Sequence, residues 1–139
     1  MIDFDTTVKL HVYETIAETT RVPLISDVAG DLDCDQSEIR TAFHALSKRR
    51  LLVLESATSE IRMAPPFSAV PTPFVVQIGK KRYDANCVWD ALGVCAALHS
   101  DAVVETTCGE SGEPMSMEVR AGEPVPHNGA VHFAVPAAH

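Results

Sequence analysis

Four prolines fall within nine residues, at positions 65, 66, 71 and 73. Proline fixes φ and offers no backbone N–H, so prolines at this density disfavour a regular element and mark a linker. The chain is therefore expected to divide there, into units 1–64 and 65–139. A length of 139 residues suits two small units, and 46% apolar residues supply material for a core.

The first unit reads as helical. Asp5 to Thr19 carries Val8, Val12 and Ile16 at helical spacing, with Leu10 and Tyr13 as further inward candidates and Asp5 or Thr6 as the cap. Pro23 to Leu32 reads as a short second helix with Leu24, Ile25, Val28 and Leu32 apolar. Asp35-Gln36-Ser37-Glu38 has an acid followed three residues on by glutamate, a variant of the capping box. A third helix follows to about Arg50, with Ile39, Phe43 and Leu46 inward. Leu51–Leu54 and Glu60–Met63 are short strand-like runs. Three helices and then a hairpin is the order of a winged helix-turn-helix module.

That module need not read DNA. Arg40, Lys48, Arg49 and Arg50 could meet phosphates, and Gln36 and Ser37 stand where base contacts would be made. Yet cations at a helix C-terminus are also favoured by the dipole. Residues 1–66 hold seven Lys and Arg against eleven Asp and Glu. The acidic balance argues against a nucleic-acid partner.

The second unit centres on Tyr83 to His99, YDANCVWDALGVCAALH. Cys87, Asp90, Ala91, Val94, Cys95 and Leu98 lie on one face at helical spacing, with Asp84 as a candidate N-cap. Gly93 interrupts this helix at a cost of about 1 kcal/mol unless close packing uses it. Asp90 is the odd member, since a carboxylate on an apolar stripe needs a partner. Cys87 three residues earlier sets a thiol beside an acid, which is a candidate reaction site. Core packing is the competing account, because free cysteine is often buried. Phe74–Ile78 and Ala102–Thr107 read as strands. Met115, Met117 and Val119 alternate with Ser116, Glu118 and Arg120, a half-buried strand that pairs back across the turn 108–114. Ala130–Val135 reads as a last strand.

Net charge is −8. Residues 1–5 carry two acids and no apolar h-region, so no secretory signal is expected. No apolar run reaches the roughly 18–20 residues of a membrane span. Cys34, Cys87, Cys95 and Cys108 show no CxxC spacing, and reduced thiols in a cytoplasmic protein are expected. His127 and His132 are lone histidines, and Met115 and Met117 read as core. No phosphate loop or Ser-His-Asp order is present.

Two motifs resemble one family. Cys87-Val88-Trp89-Asp90 is similar to the cysteine, two intervening residues and aspartate of the organomercurial lyase (alkylmercury lyase) family. Cys108-Gly109-Glu110-Ser111-Gly112-Glu113-Pro114 resembles that family's C-x-x-[ST]-G-x-P turn, and FVVQIGKKRY resembles the strand and turn before its nucleophile. A small winged-helix-like domain precedes the catalytic domain in that family. The resemblance implies protonolysis of a carbon–mercury bond. It implies that Cys87 takes the soft Hg(II) centre as thiolate, that Asp90 handles the proton and helps hold the mercuric product, and that Cys108 is structural. It implies no resident cofactor; an organomercurial or mercuric ion is the substrate or product, with small thiols as candidate partners. The family's second catalytic cysteine follows the strand that 130–135 resembles, and no cysteine follows Cys108 up to His139. Cys95 is a poor substitute, since eight residues of helix separate the two α-carbons by roughly 12 Å.

The expected fold is α+β: a winged-helix-like three-helix unit, then a small, mostly antiparallel sheet with one packed helix. Two functions remain open. One is a carbon–mercury lyase. The other is a non-catalytic relative that binds heavy metal or a small ligand, with a winged-helix transcriptional regulator as one form of it.

Overall fold

The computed structural model describes residues 2–107 and 110–125. Cys108, His127, His132 and the strand expected at 130–135 lie outside the described residues. The architecture is α+β, as expected.

Three helices open the chain: α1 (Phe4–Thr19), α2 (Ile25–Leu32) and α3 (Gln36–Lys48). The α1 cap is Asp3 rather than Asp5 or Thr6. Asp3 has the extended backbone of an N-cap, and its carboxylate accepts the Thr6 N–H at 2.7 Å. α2 starts two residues later than expected because Leu24 is its cap; the Leu24 side chain is exposed, and its N–H is bound by the Asp27 carboxylate at 2.9 Å. α3 keeps the predicted box, with the Glu38 carboxylate accepting the Asp35 N–H at 3.0 Å. Val8, Val12, Ile16, Ile25, Val28, Ile39, Phe43, Leu46 and Leu52 close a core between the helices and the hairpin that follows. Leu10 is exposed and Tyr13 half-buried.

The strands are β1 (Val53–Leu54), β2 (Ile61–Ala64), β3 (Phe67–Ser68), β4 (Phe74–Ile78), β5 (Lys81–Ala85), β6 (Ala102–Thr107), β7 (Pro114–Arg120) and β8 (Glu123–Pro124), with α4 (Val88–Ala97) between β5 and β6. They form one sheet in the order β1-β2-β3-β5-β4-β6-β7-β8, every neighbouring pair antiparallel. Two elements depart from the sequence reading. The proline-rich stretch contains β3, whose paired residues Phe67 and Ser68 are not themselves prolines and so can join the ladder. Residues 83–85, expected to open the helix with Asp84 as its cap, belong to β5 instead. It turns back on β4 through Gly79 and Lys80, with Gly79 at φ +60, the first central position that two-residue hairpins give to glycine.

α4 packs on β3, β4, β5 and β6 through Ala91, Val94 and Cys95. Gly93 is the point of closest approach: a Cβ there would stand 3.2 Å from the Pro66 Cβ. Close packing therefore accounts for the mid-helix glycine. α1 is tied to the same sheet by three bonds. The Ala17 carbonyl accepts the Tyr83 hydroxyl at 2.6 Å and the Lys81 ammonium at 3.1 Å, and the Tyr13 hydroxyl donates to the Pro65 carbonyl at 2.8 Å. No described helix is long and apolar enough to cross a membrane.

Candidate active site

The chain leaves β5 at Ala85 and enters α4 at Val88, and the two residues between are Asn86 and Cys87. Because Asp84 belongs to β5, paired with Val75, it cannot cap the helix. Its carboxylate instead accepts the Thr72 N–H at 3.2 Å, and the Thr72 hydroxyl donates to the Ala85 carbonyl at 2.6 Å. These bonds hold the turn that delivers Cys87.

Cys87 is itself the N-cap. Its backbone is extended (φ −159), and its sulfur accepts the Asp90 N–H at 3.5 Å. A cysteine thus fills the place that serine or aspartate usually takes. The free N–H groups of a helix's first turn favour negative charge at that point. Asp90 stands in the same turn, half-buried, and its carboxylate accepts the Asn86 side-chain N–H at 2.9 Å. Asn86 also donates to the Phe67 carbonyl at 3.2 Å. Sulfur and carboxylate, the two groups singled out in the sequence, therefore share one helical turn held against β3.

A family model described as MerB, alkylmercury lyase, matches residues 67–139, more than half of the chain. The chain belongs to the alkylmercury lyase family. Its fold is also similar to the crystal structure of the mercury-bound form of MerB2, with a TM-score of 0.68 and 21% identity over 91% of this chain. The chain spans 60% of the length of that structure. No curated protein matches it.

The stretch that matches the alkylmercury lyases contains Asn86, Cys87 and Asp90 together, and it contains Cys95 as well. Cys95 is only 4% exposed, its thiol points along the helix to the Ala91 carbonyl at 3.4 Å, and burial pushes it above the usual thiol range. It is a core residue, not a companion to Cys87. Cys34 lies between α2 and α3, where burial first and then Glu38, Asp35 and Asp33 raise its thiol. No group of three or more potential metal-binding side chains exists among the described residues.

Two residues beside this candidate site escaped the sequence reading. Asn86 had a usable signal, since it stands four residues before Asp90 and so within side-chain reach. Tyr13 had none, because it arrives from α1. Its phenol is raised above the usual tyrosine range by burial and then by the charge on Asp90.

Proposed function

We propose that this chain cleaves carbon–mercury bonds by protonolysis, with Cys87 as nucleophile and mercury ligand and Asp90 as the proton carrier. The observation that carries this reading is the shared first turn of α4, where the Asp90 N–H meets the Cys87 sulfur and the Asp90 carboxylate is held by a single amide. The thiolate displaces one ligand of the organomercurial and forms a sulfur–mercury bond, as soft thiolates do. The thiol proton passes to the Asp90 carboxylate. The carboxylic acid then delivers that proton to carbon as the carbon–mercury bond breaks. The hydrocarbon leaves, and Hg(II) stays on Cys87 with Asp90 beside it until a small thiol removes it. No electron is gained or lost.

In this reading residues 1–64 are a winged-helix-like packing unit that steadies the sheet, and residues 65–139 carry the chemistry. The acidic balance of the helical part supports packing rather than DNA binding. A second reading, mercury binding without turnover, is favoured by the single sulfur in the described site. One experiment separates the two. Phenylmercuric acetate is incubated with the protein and excess small thiol, and benzene is measured against a Cys87→Ser control. Benzene release that depends on Cys87 supports the lyase. Tight Hg(II) binding that depends on Cys87, with no benzene, supports the binder.

A further inference from the structure

We infer that Asn86 is the positioning residue for Asp90, fixing its carboxylate against β3 so that it faces the mercury-ligating sulfur. The inference rests on the reading of Cys87 and Asp90 as partners and adds a residue to it.

The argument starts from an unsatisfied atom. Asn86 Oδ1 is buried and has no hydrogen-bond partner among the described residues. A buried acceptor left alone loses its hydration without a replacement bond. The usual escape, rotating the amide by half a turn, is closed here. The Phe67 carbonyl at 3.2 Å and the Asp90 carboxylate at 2.9 Å are both acceptors. Only the NH2 end can face them, and it spends both of its donors on them. Oδ1 is forced into a place without a donor. The orphaned atom follows from turning both donors toward those two acceptors.

What the other end does is geometric. One proton of the amide is fixed on a strand carbonyl, so the second has a fixed direction. The Asp90 carboxylate is therefore registered to β3 as well as to its own helix. The Phe67 segment is in turn held by α1, since the Tyr13 hydroxyl donates to the Pro65 carbonyl at 2.8 Å. A carboxylate that must take a proton from sulfur and return it to carbon gains from such a fixed direction, because proton transfer depends on hydrogen-bond alignment.

Two measurements on the full chain test this. The first reads the bond without any activity. In 15N-labelled protein, the Asn86 side-chain amide signal should shift on Asp90→Asn and stay in place on Cys87→Ser. An Asn86 amide indifferent to Asp90→Asn overturns the inference whatever the protein does to mercury. The second reads the role. Asn86→Ala, and the near-isosteric, donor-free Asn86→Leu in case the smaller residue perturbs the fold, should slow single-turnover release of benzene from phenylmercuric acetate about tenfold to a hundredfold, the worth of one charge-assisted bond. Affinity for Hg(II) chloride should fall by a smaller factor than the cleavage rate, because the Cys87 sulfur remains the principal ligand. Asn86→Ala combined with Asp90→Asn should be no slower than Asp90→Asn alone, because both remove the same arrangement. Independent, multiplying effects would overturn the positioning role. If the unmodified protein releases no benzene, the lyase reading fails, and the amide signal alone decides whether Asn86 holds Asp90.

Discussion

The helical part and the sheet part of this molecule are built from different material. Among the described residues, nine of the twelve largest fully buried side chains lie between Val8 and Leu52, and the other three are Val76, Val94 and Val104. The helical part of the core is mainly Phe, Ile, Leu and Val from α1, α2, α3 and Leu52, with Ala29 and Ala42. The sheet part has Ile61, Phe67 and Tyr83 as its large residues and otherwise valines, alanines and Cys95, such as Ala85, Ala91 and Ala102. Small side chains let α4 lie close on the sheet, and Gly93 against Pro66 is the extreme case. Burial energy scales with apolar area, so the helical core supplies more per residue. The candidate site thus stands on the lighter half, and the heavier half is bound to it through Tyr13, Tyr83 and Lys81.

The largest test of this contrast is a pair of core truncations. Phe43→Ala should lower unfolding free energy by about 3–5 kcal/mol. Val104→Ala, equally buried, should cost about 2 kcal/mol for its lost apolar groups. Urea melts would show the difference, and equal losses would erase the distinction between the two parts of the core.

A smaller effect belongs to the bonds that join the halves. Tyr83→Phe removes the hydroxyl bonded to Ala17 and should cost about 1 kcal/mol. The same junction predicts an alkaline limb. Tyr13 titrates above the ordinary value of 10.0 because of burial and then the charge on Asp90, and Tyr83 because of burial. A phenol whose folded pKa is raised holds its proton longer when folded. Its contribution is complete below about pH 10, and it is lost as pH rises through the raised values. Stability measured against pH should decline there, and Tyr13→Phe should flatten the decline. A decline unchanged in both Phe variants would assign it to other groups.

The smallest test costs no stability at all. With limiting N-ethylmaleimide near pH 8, peptide mapping should find Cys87 modified well before Cys95, whose thiol is buried and raised. Cys34 should also lag, being raised by burial and three acids. If Cys95 reacts as fast as Cys87, the sheet part opens more readily than its packing implies.

Local chemistry made much of this legible. The inward stripe of α3 and its Asp35–Glu38 box depend only on residues a few positions apart, and they stand as read. So does the alternation of Met115, Met117 and Val119 along β7. The errors arise where a distant partner decides. Lys81 to Ala85 runs straight into a helical pattern, and only its register with β4 makes it a strand. That strand moves the helix start by three residues and turns Cys87 from a residue inside α4 into its cap. Phe67 and Ser68 sit between prolines and look like linker until β2 and β5 flank them. Of the candidate site, spacing alone could set the cysteine and the acid on one helical turn. Asn86 could not be given its part, because that needs a carbonyl 19 residues away.

The ladder between β3 and β5 has a consequence of its own. All eight strands share one sheet, yet β3 and β5 meet at the single pair Phe67 and Ala85. That rung is the seam of the molecule. Cys87 lies two positions beyond it, and Asn86 grips the carbonyl of its other side. If the seam parted, β3 and β5 would each show a bare edge with unpaired N–H and C=O groups, a template for sticking to other chains. The Asn86 bond to the Phe67 carbonyl spans the seam, so the Asp90 carboxylate that holds the same amide also helps keep β3 on β5.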